Sequence, residues 1–150
     1  MSVPDIIRAR DRERILTLHP DFRPIVRAVL DAMERLGYPM TVTAAVRTQA
    51  EQVALYAKGR TIPGSIVTNA DGVIKKSNHQ AKVDGWGYAA DLTFLIDGAD
   101  RDGELETPSW DESHPWNLYG VMAETLGKGR VTWGGRWPKL RDMPHIEWRG

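Results

Sequence analysis

The sequence predicts an α+β fold in which helices flank a small, largely antiparallel sheet. Two segments carry apolar residues at helical spacing, and several short runs have the composition or alternation of strands. These strands fall between the helices without a regular strand–helix–strand alternation, which disfavours a parallel sheet. Because 150 residues is the usual size of one domain, we expect residues 1–150 to form a single domain.

The clearest predicted helix begins near Phe22 and ends before Gly37, a residue type common at helix ends. Its apolar residues recur at helical spacing: Ile25, Val26, Val29, Leu30, Met33 and Leu36. Another helix is predicted over residues 116–126. Its inward-facing residues are expected to be Leu118, Tyr119, Met122 and Leu126. Both patterns are typical of helices that pack against a core.

Residues 40–46 predict a half-buried strand, with Arg47 at its end. Alternation along this strand would place one set of residues on the same face: Val42, Ala44 and Val46. Thr48 and Glu51 then form a capping-box pattern, which predicts a short helix closed by Gly59. Arg47 is therefore expected at a strand-to-helix junction.

The stretch 61–87 is rich in Gly, Pro, Asn and Asp, so it predicts a long loop with at most short strands. Ordered loops of this length are often functional. A strand is predicted at 89–94, and residues 97–113 are predicted to be a polar surface excursion. Two further short strands are predicted at 131–133 and 145–148, separated by a turn-rich segment.

The composition excludes several classes of protein. Twenty Lys and Arg residues balance twenty Asp and Glu residues, so no overall field attracts nucleic acid or an anionic membrane surface. Without cysteine there are no disulfides, and any transition-metal site must use His, Asp or Glu. No secretion signal is visible, and no apolar run approaches about 18 residues. We expect a protein that is cytoplasmic on synthesis and does not insert into a membrane.

Two histidines and one acid occupy positions that packing does not readily explain. His79 lies in the glycine-rich loop, and His145 opens the last strand. Asp91 would be costly to bury within the apolar run 89–94 unless a cation or strong hydrogen bonds compensate its charge. If this strand pairs with the strand at 145–148, alternation places Asp91 and His145 in the same cleft.

His79, Asp91 and His145 match the ligand set of a catalytic zinc site, in which two imidazoles and one carboxylate leave a fourth position for water. A zinc ion in such a site acidifies water and polarises a substrate carbonyl, which is the chemistry of amide hydrolysis. Asp142 lies three residues before His145 in a predicted turn, which makes it the candidate general base. Taken singly, each of these residues is more often an ordinary polar residue; together they favour a metal site.

With these residues in this order, the sequence resembles the LAS-type zinc peptidases. That family includes D-alanyl-D-alanine dipeptidases and carboxypeptidases and the L-alanyl-D-glutamate endopeptidases of phage lysis. Its pattern S-x-H, then A-x-D, then a late acid-x-x-His reads here as residues 77–79, 89–91 and 142–145. Arg47 resembles the family arginine that precedes a helix and faces the substrate. The segment 68–92 and the motifs WGGRW and DMPHIEW are most similar to the phage endolysin branch.

Two departures from the family pattern concern the site. The loop between His79 and Asp91 is longer than in the most compact family pattern, and Asp142 stands where many relatives carry Glu. An aspartate reaches one methylene less far than a glutamate, so Glu147 is the alternative candidate for the base.

The resemblance implies a LAS/hedgehog-like D-Ala-D-Ala peptidase fold and one catalytic zinc ion. The implied metal ligands are His79, Asp91 and His145. Asp142 would activate the water, and Arg47 would bind a substrate carboxylate or the oxyanion. Ser77 is expected to contact the substrate or to support a metal ligand. Three aromatic residues are further candidates for lining the cleft: Tyr56, Trp86 and Trp137.

By the same resemblance, the protein hydrolyses peptide bonds in bacterial peptidoglycan stems, with L-Ala–D-Glu as the expected bond and host cell lysis as the expected purpose. We expect a monomer that reaches the wall after release through a membrane pore. Two alternatives stay open: a D-Ala-D-Ala carboxypeptidase or dipeptidase, and a non-catalytic zinc-binding module of the same fold. The presence of Asp142 and Arg47 disfavours the non-catalytic module.

Overall fold

A computed structural model describes residues 2–150. Its helices are α1 (Asp5–Ile15), α2 (Arg23–Arg35), α3 (Gln49–Ala57) and α4 (Trp116–Leu126). Its strands are β1 (Met40–Ala44), β2 (Ala89–Asp97), β3 (Leu105–Ser109), β4 (Val131–Trp133) and β5 (His145–Trp148). One turn of 3₁₀ helix follows β4 at Gly134–Arg136. Within residues 2–150, none of the helices combines the length and apolar character needed to cross a membrane.

The five strands form one sheet, in which β2 is the central strand. The order is β1-β2-β5-β4, and β3 pairs with the second half of β2. Each of these pairings is antiparallel, so the predicted α+β fold with an antiparallel sheet is confirmed. Residues 89–95 are buried with the exception of Asp91. The Asp91 side chain is therefore the part of this buried stretch that solvent can reach.

Helices α2 and α4 pack against each other and against the sheet, and α4 also packs against the 3₁₀ turn that follows β4. Gly120 of α4 allows the close approach, because a Cβ at that position would lie 2.2 Å from the ring of Trp133. The indole Nε1 of Trp133 donates a hydrogen bond to the carbonyl oxygen of Met143 at 2.7 Å. The core thereby anchors the segment that leads from Asp142 into β5.

Helix α1 is absent from the sequence prediction, because it is highly charged and only three of its residues face inward: Ile7, Asp11 and Ile15. The helix covers β1, an edge strand whose polar backbone groups would otherwise lack partners on that side. The Asp11 carboxylate accepts hydrogen bonds from the Thr41 hydroxyl at 2.5 Å and from the Val42 backbone N–H at 2.9 Å. Hydrogen bonds from β1, the strand that α1 covers, thus compensate the cost of burying the Asp11 carboxylate.

Two predicted segments are wrong in part. The strand predicted at 40–46 ends at Ala44, because its pairing with β2 shifts register between Val42 and Ala44. This irregularity interrupts the alternation, so that Ala45 is buried while Val46 is only half-buried. Residues 97–113 are more than a surface excursion, because they contain β3. The sequence of β3, LETPS, is too polar to show the apolar alternation of a strand.

Replacing Asp11 by Ala is expected to destabilise the protein by about 3 kcal/mol. The substitution removes the acceptor of two buried hydrogen bonds and the partner of Arg8, whose Nη1 lies 3.0 Å from Asp11. Chemical denaturation measured by circular dichroism tests this expectation. Asp31→Ala, at an exposed position of α2, is the matched control and should change stability little. Equal stability of the two variants would contradict the role assigned to Asp11.

Candidate active site

The pairing of β2 with β5 brings two of the candidate ligands together, since Asp91 and His145 are direct partners in the antiparallel register. His79 comes from the long loop between α3 and β2. Its carbonyl oxygen accepts a hydrogen bond from the Arg47 backbone N–H at 2.8 Å. The loop is thereby attached to the segment that follows β1, and the imidazole of His79 is held beside Asp91.

The three side chains present one donor atom each to a common point. His79 Nε2 lies 3.2 Å from Asp91 Oδ1 and 3.1 Å from His145 Nδ1, and His145 Nδ1 lies 3.2 Å from Asp91 Oδ1. Zinc binds nitrogen and oxygen at about 2.0–2.1 Å in tetrahedral sites, which places neighbouring donor atoms about 3.3 Å apart. The observed triangle is therefore of the size that a zinc ion requires.

Hydrogen bonds on the far sides of both rings determine which nitrogen carries the proton. His79 Nδ1 lies 2.8 Å from the carbonyl oxygen of Ala45, which only accepts, so Nδ1 is the donor. His145 Nε2 donates to Glu147 Oε1 at 2.7 Å. When both rings are neutral, the facing nitrogens therefore carry lone pairs. Two lone pairs and a carboxylate oxygen within 3.2 Å of one another repel unless a cation lies between them, which fits the donor set of a metal ion.

The electrostatics of the site favour positive charge. Burial raises the pKa of Asp91, but the charges and hydrogen bonds of His79 and His145 outweigh burial and hold this pKa well below its usual range. Burial lowers the pKa of His145, yet hydrogen bonds to Asp91 and Glu147 raise it to about 9 overall. The two shifts have complementary causes: the histidines stabilise the charged form of Asp91, and the carboxylates of Asp91 and Glu147 stabilise the charged form of His145.

Asp142 lies beside the donor triangle rather than within it. Its Oδ2 is 3.9 Å from His145 Nδ1, beyond the separation of two ligands on one zinc ion. Burial, followed by the charge of Asp91, raises the pKa of Asp142 above its usual value, which makes the carboxylate a better proton acceptor. The turn that carries it is closely packed, because a Cβ at Gly134 would lie 2.4 Å from the carbonyl oxygen of Asp142.

Arg47 projects into the cleft on the other side of Asp91. Its Nη2 lies 3.6 Å from Asp91 Oδ2, and its Nη1 donates to Gln52 Oε1 at 2.7 Å. Gln52 is fully buried in α3, and its amide nitrogen donates to the carbonyl oxygen of Ala70 at 2.9 Å. A neutral amide therefore holds one side of the guanidinium without cancelling its charge, while the other side lies beside the Asp91 carboxylate.

Arg47→Ala is expected to reduce kcat/KM by the equivalent of about 2–4 kcal/mol of transition-state stabilisation, because one charge-stabilising donor is lost. Arg47→Lys should fall between the wild type and Arg47→Ala, since it keeps the charge but not the planar pair of donors. Steady-state hydrolysis of a peptide substrate measures the effect, with Arg27→Ala, an exposed arginine of α2, as control. Folding and metal content should not change, and unaltered turnover would make Arg47 an ordinary surface arginine.

The structure places most of the predicted site residues around one cleft of about 490 Å³. Its predicted members are Arg47, Ser77, His79, Asp91, Trp137, Asp142 and His145. Ser77 Oγ accepts from the His79 backbone N–H at 3.2 Å, so it supports the loop segment that carries His79. The Trp137 ring lies 4.8 Å from the His145 ring.

Other aromatic and histidine residues have packing roles. Tyr56 lies under the guanidinium of Arg60, and Trp86 lies under that of Arg23, so neither lines the cleft. The two remaining histidines stack on core aromatic rings: His19 on Trp148, and His114 on Phe94.

Two residues that support the site could not be recognised from the sequence. Gln52 is one of them. Its amide is fully buried, but this burial can be recognised only when the inward-facing side of α3 is known. Asn78 is the other, and its amide nitrogen donates to Glu147 Oε2 at 2.8 Å. Glu147, considered only as an alternative base, bonds to the far side of His145.

Comparison with known proteins identifies the family. No protein-family model matches the chain. The sequence is 32% identical over 139 residues to the peptidoglycan L-alanyl-D-glutamate endopeptidase CwlK of Bacillus subtilis, covering 85% of this chain and 73% of CwlK.

Solved structures show the same fold. The L-Ala D-Glu endopeptidase ChiX of Serratia marcescens matches with a TM-score of 0.64 at 22% identity, over 93% of this chain and 86% of ChiX. The vancomycin resistance D,D-pentapeptidase VanY, solved in complex with Zn(II), matches with a TM-score of 0.53 at 17% identity, over 89% of this chain and 73% of VanY. Together with the similarity to CwlK, the fold and the ordered S-x-H, A-x-D and acid-x-x-His motifs show that the chain belongs to the LAS-type zinc peptidases.

Proposed function

We propose that the protein is a zinc-dependent endopeptidase that hydrolyses the L-Ala–D-Glu bond of peptidoglycan stems. The observation that carries this proposal is the triangle of His79, Asp91 and His145, with Asp142 beside it and Arg47 in the same cleft. The proposed bond follows the activity of CwlK, which is the relative at 32% identity.

The side chains of the cleft have complementary tasks in this reaction. His79, Asp91 and His145 would hold the zinc ion, which would supply an acidified water and polarise the scissile carbonyl. Asp142 takes a proton from the attacking water as the new C–O bond forms, and it returns that proton to the leaving amine as the C–N bond breaks. Arg47 donates hydrogen bonds to the negative charge that develops in the transition state or to a neighbouring carboxylate of the substrate.

The charge of the cleft supports an anionic substrate. Besides Arg47, four lysines line it, so its basic side chains outnumber its three carboxylates, those of Asp91, Asp142 and Glu147. These lysines are Lys58, Lys75, Lys76 and Lys139. Glutamate has two carboxyl groups, so a D-Glu residue that continues the chain through one of them presents the other directly after the scissile bond. A cluster of positive charge at this position attracts such a substrate and raises its local concentration.

We further propose that the enzyme acts in host cell lysis, as a monomer that is cytoplasmic on synthesis and reaches the wall after release through a membrane pore. The support for this role is the resemblance of the segment 68–92 and of the DMPHIEW motif to the phage endolysin branch. Expression in the cytoplasm with and without a pore-forming protein tests it, and lysis should require both.

Digestion of purified peptidoglycan, followed by mass spectrometry of the products, tests the bond that is cut. Cleavage at L-Ala–D-Glu releases fragments that begin with D-Glu, whereas a carboxypeptidase or dipeptidase would release D-Ala or D-Ala-D-Ala instead. Release of D-Ala species alone would replace the endopeptidase assignment. An absence of products from zinc-loaded protein would favour a non-catalytic zinc-binding module.

A further inference from the structure

The mechanism above gives no task to Glu147, although this residue lies in the cleft and bonds to a metal ligand. Its Oε1 accepts from His145 Nε2 at 2.7 Å, on the opposite side of the ring from Nδ1, which faces Asp91. Both residues belong to β5 and lie two positions apart, so the strand presents them on the same face.

Glu147 is itself held in place from the loop that carries His79. Asn78 Nδ2 donates to Glu147 Oε2 at 2.8 Å, so each carboxylate oxygen has a partner. The carbonyl oxygen of Asn78 in turn accepts from the Tyr88 backbone N–H at 3.0 Å, immediately before β2. Asn78 thus joins the His79 loop, the start of β2 and the carboxylate that contacts His145.

This arrangement selects one protonation form of His145. A neutral imidazole has one N–H donor and one lone pair, and the contact of 2.7 Å from Nε2 to Glu147, shorter than the 3.2 Å from Nδ1 to Asp91, favours the proton on Nε2. The lone pair is then on Nδ1, which faces the donor atoms of His79 and Asp91. A carboxylate in this place also increases the electron density of the ring and strengthens it as a ligand. Because both of its oxygens are engaged, Glu147 is poorly placed to act as the general base.

We propose that Glu147, anchored by Asn78, is a positioning residue that orients His145 and fixes its metal-binding tautomer. This inference rests on the zinc function proposed above. Its consequence is that the zinc affinity of the protein depends on Glu147, whereas its rate of hydrolysis at saturating zinc depends mainly on Asp142.

The test is the zinc dissociation constant, measured by competition with a chromophoric chelator. Glu147→Ala should weaken zinc binding by about 10- to 100-fold, as is typical when a hydrogen-bond partner of a ligating histidine is lost. Glu147→Gln should weaken it less, because an amide oxygen can still accept from Nε2. Glu13→Ala, at an exposed position of α1, is the control and should bind zinc like the wild type.

A second measurement separates positioning from a general structural role. The ¹⁵N chemical shifts of the His145 ring in the zinc-loaded protein report its tautomer. In the wild type we expect a proton on Nε2 that is protected from exchange, and in Glu147→Ala we expect that protection to be lost. Asn78→Ala should weaken zinc binding in the same direction, and the double variant should lose less than the sum of the two effects.

Several outcomes would overturn the inference. Wild-type zinc affinity in a folded Glu147→Ala protein would show that Glu147 does not position His145. Loss of hydrolysis in Glu147→Gln without any change in zinc affinity would make Glu147 a base instead. If the wild type bound no zinc, the proposed function and this inference would fail together. Wild-type zinc affinity in Glu147→Ala would overturn this inference alone, so the two failures are distinguishable.

Discussion

Asp142→Asn is expected to slow peptidoglycan hydrolysis by roughly 10²- to 10⁴-fold, the usual contribution of a positioned acid or base. Asparagine has nearly the same volume, but its amide cannot take the proton from the attacking water. Zinc content should stay unchanged, because Asp142 Oδ2 lies 3.9 Å from His145 Nδ1 and outside the donor triangle. Single-turnover hydrolysis of a defined muropeptide, together with metal analysis of the same sample, measures both quantities.

The matched control for this substitution is Asp31→Asn, which alters an exposed acid on α2 and should leave hydrolysis unaffected. Two results would count against the assignment of Asp142. Near-native hydrolysis would mean that another group takes the proton, and loss of zinc would mean that Asp142 is a ligand. Normal thermal unfolding of the variant is needed to exclude an effect on folding.

His79→Ala is expected to lower zinc content from about one ion per chain and to reduce hydrolysis to background. The loss of affinity should exceed the roughly 10- to 100-fold that follows removal of an outer hydrogen-bond partner, because a direct ligand is removed. His79 is only 2% exposed and is one of three donors within 3.2 Å of one another. Metal analysis after dialysis and titration with zinc provide the measurement.

His19→Ala is the control for the loss of a histidine, because His19 stacks on Trp148 and has no place in the donor triangle. It should keep its zinc. The ligand assignment would fail if His79→Ala retained a full complement of zinc. Thermal unfolding with and without added zinc separates loss of the metal from loss of the fold, since zinc should stabilise the wild type more than the variant.

Local patterns in the sequence were sufficient for much of the fold. The helices α2 and α4 and the strands β4 and β5 show clear periodicity or strand composition, and the capping box of Thr48 and Glu51 is formed at the start of α3. Helix α1 and strand β3 were missed because their burial depends on partners distant in the chain. A charged helix and a polar strand carry little apolar periodicity of their own.

The residue types of the candidate site could be predicted from the sequence: two histidines that packing does not explain, a buried acid whose charge needs compensation, a second acid nearby, and an arginine before a capped helix. Motif order tied these residues to one family, since ordered motifs together are more specific than any one of them. The contacts between these residues could not be predicted, because they depend on strand pairing and on the path of the long loop. The β2–β5 register sets Asp91 opposite His145, and the long loop adds His79.

The supporting residues could also be identified only in the folded structure, because their interactions act over short distances. Ala45, Gln52, Asn78 and Glu147 act through hydrogen bonds of about 3 Å, whose strength depends steeply on distance and angle. Their partners lie between 2 and 69 positions away in the chain. Sequence spacing carries the periodicity of helices and strands, but it carries no information about which distant atoms come within 3 Å. Protonation, orientation and charge in this cleft are therefore properties of the folded chain.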